Sequence, residues 1–156
     1  MGFTGVGIAT DTVTTSQQAP LGFVLTVPDS TAGYGMQEWV YVKTSAELTK
    51  GIVAERAATT PFIVGEGVAG TTRASCVGVA QHTIASGSYG FILKTGVGNV
   101  LADGSVTAGT DITPAGSGKV TDFVNGEEER VIGMAFANDA GSGATDFVLA
   151  ILDCGA

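Results

Sequence analysis

The chain has 156 residues, of which 24 are glycine and only 14% are charged. Glycine is therefore about twice as common as usual and charge about half as common. Even so, 44% apolar content and a mean hydropathy of +0.34 exclude a disordered chain, and the glycines lack the every-third spacing of collagen. Seven Lys+Arg face fifteen Asp+Glu, for a formal charge of −8. So few basic residues cannot track a phosphate backbone, which excludes nucleic acid as the main partner.

At this length a single domain with a self-sufficient core is expected. Met1 to Gly7 lack the positive start of a secretory signal. The longest apolar run, Phe147 to Leu152, lies between two aspartates and is far too short for a membrane helix. No membrane partner is expected, and synthesis in a cytoplasm is. Cys76 and Cys154 both sit in apolar surroundings and read as reduced core residues, not as a disulfide framework.

In chain order, residues 1–20 come first as an extended N-terminal arm. The run from Asp11 to Pro20 is polar, rich in Thr and Gln, and nearly free of core formers. Residues 21–156 then read as one β-barrel domain. Phe23, Leu25 and Val27 alternate with Val24 and Thr26, and Trp39 and Tyr41 oppose Val40 and Val42. The same period of two returns at Tyr89–Leu93, at Ile132–Phe136 and at Phe147–Leu152. Turn signals separate the runs, among them Pro28–Ser30, Ala32–Gly35, Ser86–Ser88, Ala102–Ser105, Asn125–Gly126 and Asp139–Gly143. Eight or nine short antiparallel strands predict an all-β barrel or sandwich. A capping box at Thr44–Glu47 predicts one short helical turn.

Two further features bear on architecture. Gly78 and Ala80, and Gly133, Ala135 and Ala137, lie opposite bulkier residues and are read as small outward positions that let a second layer or subunit approach. Leu48–Ile52 echoes Val106–Ile112, each a polar turn whose glycine feeds a strand. The strand from Glu38 to Lys43 is apolar on both faces, so Trp39 and Tyr41 belong either to a layer between layers or to a subunit interface.

Catalytic signatures fail one by one. Gly65–Gly70 spells G-x-G-x-x-G, but a β-rich run follows instead of a helix, and no acid falls between Glu66 and Asp103. Gly118-Lys119 is followed by Val120, not by the Ser or Thr of a phosphate loop, and no nucleophile elbow is present. His82 is the single histidine, and no serine is marked as its nucleophile. One histidine and two distant cysteines cannot supply a usual zinc set. The acids of Glu127–Glu129 follow a turn and read as solvated. No catalytic residue, metal ligand or cofactor-binding residue is assigned, and no cofactor is expected.

Several stretches together resemble the small capsid decoration, or cement, proteins of tailed bacteriophages. They are Gln37–Lys43, Leu48–Val53, Val77–Gln81, Gly87–Leu93, Gly118–Val120, Val131–Ala135 and Thr145–Leu152. The resemblance runs from about Gln37 to Cys154 and rests on strand and turn patterns. It implies a non-enzymatic β-barrel on the outer surface of the virion's capsid, made in the host cytoplasm. Its implied partners are the major capsid protein and further copies of itself, with a trimer favoured and a dimer possible. Interface residues on this reading are Val13, Gln17 and Gln18 in the arm, with Tyr34, Trp39 and Tyr41. The competing readings are a tail or fibre module, an all-β trimeric nucleotide hydrolase, and a small-ligand-binding barrel. The three arginines, Arg56, Arg73 and Arg130, lie outside glycine-rich phosphate-binding segments, which disfavours the hydrolase.

Overall fold

A computed structural model describes residues 8–30, 32–104, 106–139 and 146–155. The first seven residues of the arm and most of the turn expected at 139–143 lie outside the described residues. The chain is all-β, with ten strands among the described residues: β1 (Val24–Pro28), β2 (Met36–Thr44), β3 (Val53–Arg56), β4 (Ile63–Glu66), β5 (Cys76–Val79), β6 (Tyr89–Leu101), β7 (Asp111–Pro114), β8 (Val120–Asp122), β9 (Gly133–Ala135) and β10 (Phe147–Asp153). Two 3₁₀ turns, Gly116–Gly118 and Glu128–Arg130, are the only helical pieces among the described residues.

The strands close into two rings that share β6. The first ring runs β2-β4-β3-β5-β6 and returns to β2. Its closing ladder extends from Glu38↔Thr95 to Lys43↔Tyr89. One pairing is parallel, β2 with β4 at Lys43↔Ile63 and Thr44↔Val64, where all-antiparallel strands were expected. The second ring runs β6-β10-β9-β7-β8. It meets β6 again only through a parallel bridge between Ala102 and Val120, where the Asp103 N–H donates to the Val120 carbonyl at 2.9 Å. The length of β6 makes this possible. Its first half pairs with β2, and its second half pairs with β10 from Leu101↔Phe147 to Thr95↔Asp153.

Each ring has its own apolar interior. Val40 and Val42 of β2, Ala54, Val64, Val77 and Ile92 bring one face of every strand into the first ring, with Leu48, Ile52, Ala80 and Ile84 filling it from the loops. The opposite face of β2 is equally apolar. Trp39, Tyr41, Phe91 and Leu93 join a second cluster with Ile112, Val120, Ile132, Val148 and Leu152 of the second ring. Leu21, Phe23, Leu25 and Val27 pack against this cluster as well. The two-faced strand at 38–43 is therefore a layer between layers.

Two sequence expectations change here, and the position of the arm is added to a third. Thr44–Glu47 forms no helical turn, because its cap groups are used across the ring: Thr44 Oγ1 donates to the Ala85 carbonyl at 2.6 Å, and the Ser45 N–H donates to the Val64 carbonyl at 2.8 Å. The small residues Gly78, Ala80 and Ala135 point inward and are buried. A Cβ on Gly133 would run into the Ile151 carbonyl oxygen, and one on Gly78 would stand 2.6 Å from that of Leu93. The close approach they permit is to neighbouring strands of the same sheet. Finally, the arm lies along its own barrel over residues 8–20. Thr14 pairs with Tyr89, the Gln18 N–H donates to the Tyr41 hydroxyl at 3.0 Å, and Ala19 is buried in the second cluster.

Candidate interaction surface

The two faces of β10 differ in an unexpected sense. Val148, Ala150 and Leu152 point inward and are buried, while Phe147, Leu149 and Ile151 point outward. β9 ends the same way, with Ala135 inward and Phe136 outward. On these strands the second ring encloses Ala135, Val148, Ala150 and Leu152, and the aromatic residues Phe136 and Phe147 are left on the outside with Leu149 and Ile151. A sequence reader expects the bulky face to be the core, which inverts this assignment.

Strand register turns those residues into one surface. Ile151 stands between Met134 of β9 and Val97 of β6, and Phe147 stands opposite Leu101. The hairpin between β1 and β2 adds Tyr34 and Met36 alongside. The Tyr34 and Phe136 rings lie 6.5 Å apart, tilted by 44°, and a cleft of about 660 Å³ between them is lined also by Val97, Leu149 and Ile151. Among the described residues no charged side chain lines that cleft. Tyr34 is 59% exposed, Met36 55%, Phe147 50%, Phe136 44% and Ile151 43%. Covering side chains so exposed recovers roughly 1 kcal/mol each, or about 5 kcal/mol over the patch. Charge is confined to the margins. Lys50 lies 5.1 Å from the centre of the Phe147 ring at one end, and the Arg73–Asp153 ion pair closes the other.

Tyr34 is held in place by Asp29. The buried carboxylate of Asp29 accepts the N–H of Ala32 at 3.0 Å and that of Tyr34 at 3.1 Å, while the Asp29 N–H donates to the Gly35 carbonyl at 2.8 Å. The loop is thereby stiffened, and its aromatic tip is carried outward at little further entropy cost.

The expected interface residues divide. Tyr34 belongs to the exposed patch. Val13, Gln17 and Gln18 are exposed on the segment that runs along the barrel, with Gln17 Nε2 donating to the Ala19 carbonyl and Gln18 Nε2 to Ser16. Trp39 and Tyr41 are buried in the second cluster and are core. The Trp39 indole N–H is satisfied by Gln37 Oε1 at 3.1 Å, and Gln37 in turn donates to the Val97 carbonyl at 2.8 Å. Sequence reasoning noted the alternation on β10 and β9 but did not assign Phe136, Phe147, Ile151 or Met36 to a surface. The signal it lacked is the width of the ring that those strands enclose.

The other candidate motifs are structural. The G-x-G-x-x-G segment is the turn from β4 to β5, tied by the Gly67 N–H to the Val53 carbonyl at 2.8 Å and by the Thr71 N–H to that of Val68. His82 is half-buried, and its Nε2 has no hydrogen-bond partner among the described residues. Burial pushes its pKa down, partly offset by the charge of Asp11. Among the described residues no three His, Cys, Asp or Glu side chains are placed to hold a metal ion.

Fold and surface together define an all-β module of two fused rings whose most developed feature is an uncharged, apolar contact face. No protein-family model matches the sequence, and no curated protein does. In fold the chain is similar to the solved N base of the head fiber gp8.5 of bacteriophage phi29. The TM-score is 0.54 at 11% sequence identity, over 76% of this chain and 95% of that one.

Proposed function

We propose that the protein is a structural component of a tailed-bacteriophage virion. It sits on the outer surface of the assembled head and bridges major capsid protein subunits, as a homo-oligomer with a trimer favoured over a dimer. The observation that carries this reading is the apolar face formed by Tyr34, Met36, Phe136, Phe147 and Ile151 on a chain of net charge −8. An acidic protein that leaves such a face uncovered is built to contact another protein surface. The fold likeness to a phage head-fiber base supports the same setting. A component that binds only the assembled shell stabilises that state by mass action, and this needs neither cofactor nor catalytic group. A small-ligand barrel is disfavoured because packed side chains fill the first ring.

A second reading, the base of a head fibre, is favoured specifically by that structural neighbour. One experiment tests both. Purified protein is mixed with heads of the same virus assembled without it, and the product is imaged by electron microscopy. Compact density bridging capsid subunits is the expected result. Density continuing outward into a projection would favour the fibre base, and heads with no ordered added density would refute both readings.

Deleting residues 1–20 should also weaken particle binding if Val13, Gln17 and Gln18 touch the shell. That deletion removes Ala19 from the core too, so its stability must be measured alongside. Unchanged occupancy of the heads would remove the arm from the interface.

A further inference from the structure

We propose that Cys76 and Cys154 are a disulfide-forming pair, a modification site at which a peroxide-class oxidant locks the end of β10 onto β5. The protein has two cysteines, and they are 78 positions apart in sequence. The fold buries both and brings their sulfurs to 2.9 Å.

The backbone around the pair is already clamped. Arg73, in the turn before β5, donates from Nε to the Asp153 carbonyl at 2.9 Å and from its terminal nitrogen to Asp153 Oδ2 at 2.6 Å. On the other side of Cys154, the Gly155 N–H donates to the Arg73 carbonyl at 3.2 Å, and the Cys154 N–H itself donates to the Lys94 carbonyl at 3.1 Å. The residues flanking Cys154 are thus fastened to the segment that carries Cys76. Bond formation requires the sulfurs to close by about 0.9 Å, a side-chain adjustment that leaves the strands in place.

The chemistry balances with hydrogen peroxide as oxidant. One thiol is oxidised to the sulfenic acid, and the peroxide O–O bond breaks with release of one water. The second sulfur then attacks the first, the S–O bond breaks, and the hydroxide leaves as a second water with the remaining thiol proton. Two thiols lose two electrons and two protons in all, and the peroxide becomes two waters. The hydrogen bond with Cys154, and then burial, raise the Cys76 pKa. The Cys76 thiol is therefore kept protonated and unreactive until the clamp opens locally. Cytoplasmic reductants keep it as thiols, and oxidising surroundings favour the bond.

The test uses the purified wild-type chain, incubated with hydrogen peroxide a few degrees below its melting temperature and then split between samples with and without dithiothreitol. Free thiols should fall from two to none, the intact mass should drop by two hydrogens, and the chain should remain uncrosslinked to its neighbours. The closed loop is long, so the melting temperature should rise by about 10 °C and return on reduction. A Cys154→Ser variant should show no rise. Two persistent thiols, a gain of oxygen atoms in place of the loss of hydrogens, crosslinking between chains, or a bond with no gain in melting temperature would each overturn the proposal.

Discussion

The two rings are built from the same kind of strand yet are closed and covered differently. The first is sealed by a ladder between β2 and β6 that shifts register once, between Glu38 and Trp39, and both faces of β2 are buried from Trp39 to Val42. The second is completed by one bridge at Ala102 and Val120, and it turns Phe147, Ile151 and Phe136 toward solvent. Stability is concentrated where strands are covered on two sides, and the capacity for contact where one side has been left bare. The difference comes from which face of each strand carries the larger residues, not from how apolar the strands are.

The sharpest way to break that contrast is at the layer shared by both rings. Tyr41 is buried, stands 5.1 Å from the Phe91 ring edge-on, and accepts the Gln18 N–H through its hydroxyl. Tyr41→Ala should cost roughly 3–5 kcal/mol, read as a lowered urea midpoint, and should release residues 8–20 to early proteolysis. A loss under about 1 kcal/mol would mean that the layer between the rings carries little of the stability.

Gly133→Ala attacks the second ring alone. The added Cβ meets the Ile151 carbonyl, a backbone atom that cannot rotate aside. A cost of about 3 kcal/mol is expected, at the upper end of ordinary overpacking. Hydrogen exchange should show amides of β7, β9 and β10 losing protection first, while the β2–β6 ladder keeps its own. Uniform loss in both rings would show that they unfold as one unit.

Neighbours on β10 provide the third comparison. Leu152→Ala, on the inward face, should cost roughly 2–5 kcal/mol of stability. The pair Phe136→Ser and Ile151→Ser, on the outward face, should leave stability within about 1 kcal/mol. It should also weaken self-association or head binding by about 30-fold, equivalent to roughly 2 kcal/mol of lost apolar contact. Binding that survives the double replacement would move the interface elsewhere.

Much of this architecture was legible in the residues. Period-two alternation located β1, β2, the first half of β6, β9 and β10, and the Gly65–Gly70 segment was correctly left as a turn. The echo between Leu48–Ile52 and Val106–Ile112 is geometric as well. Gly51 and Gly109 adopt φ of +85° and +84°, the left-handed region that glycine enters freely, just ahead of β3 and β7 in the two rings. The second half of β6 was not legible, because Thr95–Leu101 is broken by Gly96 and Gly98. Nor was β8, which is only three residues long. Ala135 of β9 reads as outward and is buried, and the alternation on β10 leaves its inner face unassigned. Alternation fixes which residues share a face, but only the diameter of the closed ring decides which face is enclosed.

The smallest expected effect concerns His82, in the loop between β5 and β6, and its neighbour Asp11. His82 is the one histidine in the chain, so a single imidazole signal reports on its surroundings. Burial holds its folded pKa below the ordinary 6.5, while Asp11, on the segment lying along the barrel, pulls it partway back. The unfolded chain therefore binds the proton more readily than the folded one. The stability linked to His82 is complete above pH 6.5 and is lost as pH falls from there through the folded pKa. A shallow decline over that window is expected, and His82→Gln should flatten it. Asp122 adds a separate decline only at more acid pH: burial alone would raise its pKa, but hydrogen bonds from Thr110 and Thr107 lower it below 3.8. The nuclear magnetic resonance titration of His82 also reports on the arm. In the free protein the midpoint should lie below 6.5, and it should return toward that value if assembly draws residues 8–20 away from the barrel, since His82 then gains solvent as it loses Asp11. A midpoint at 6.5 in the free protein would mean that His82 is not held buried, and one above 6.5 that the Asp11 charge outweighs its burial.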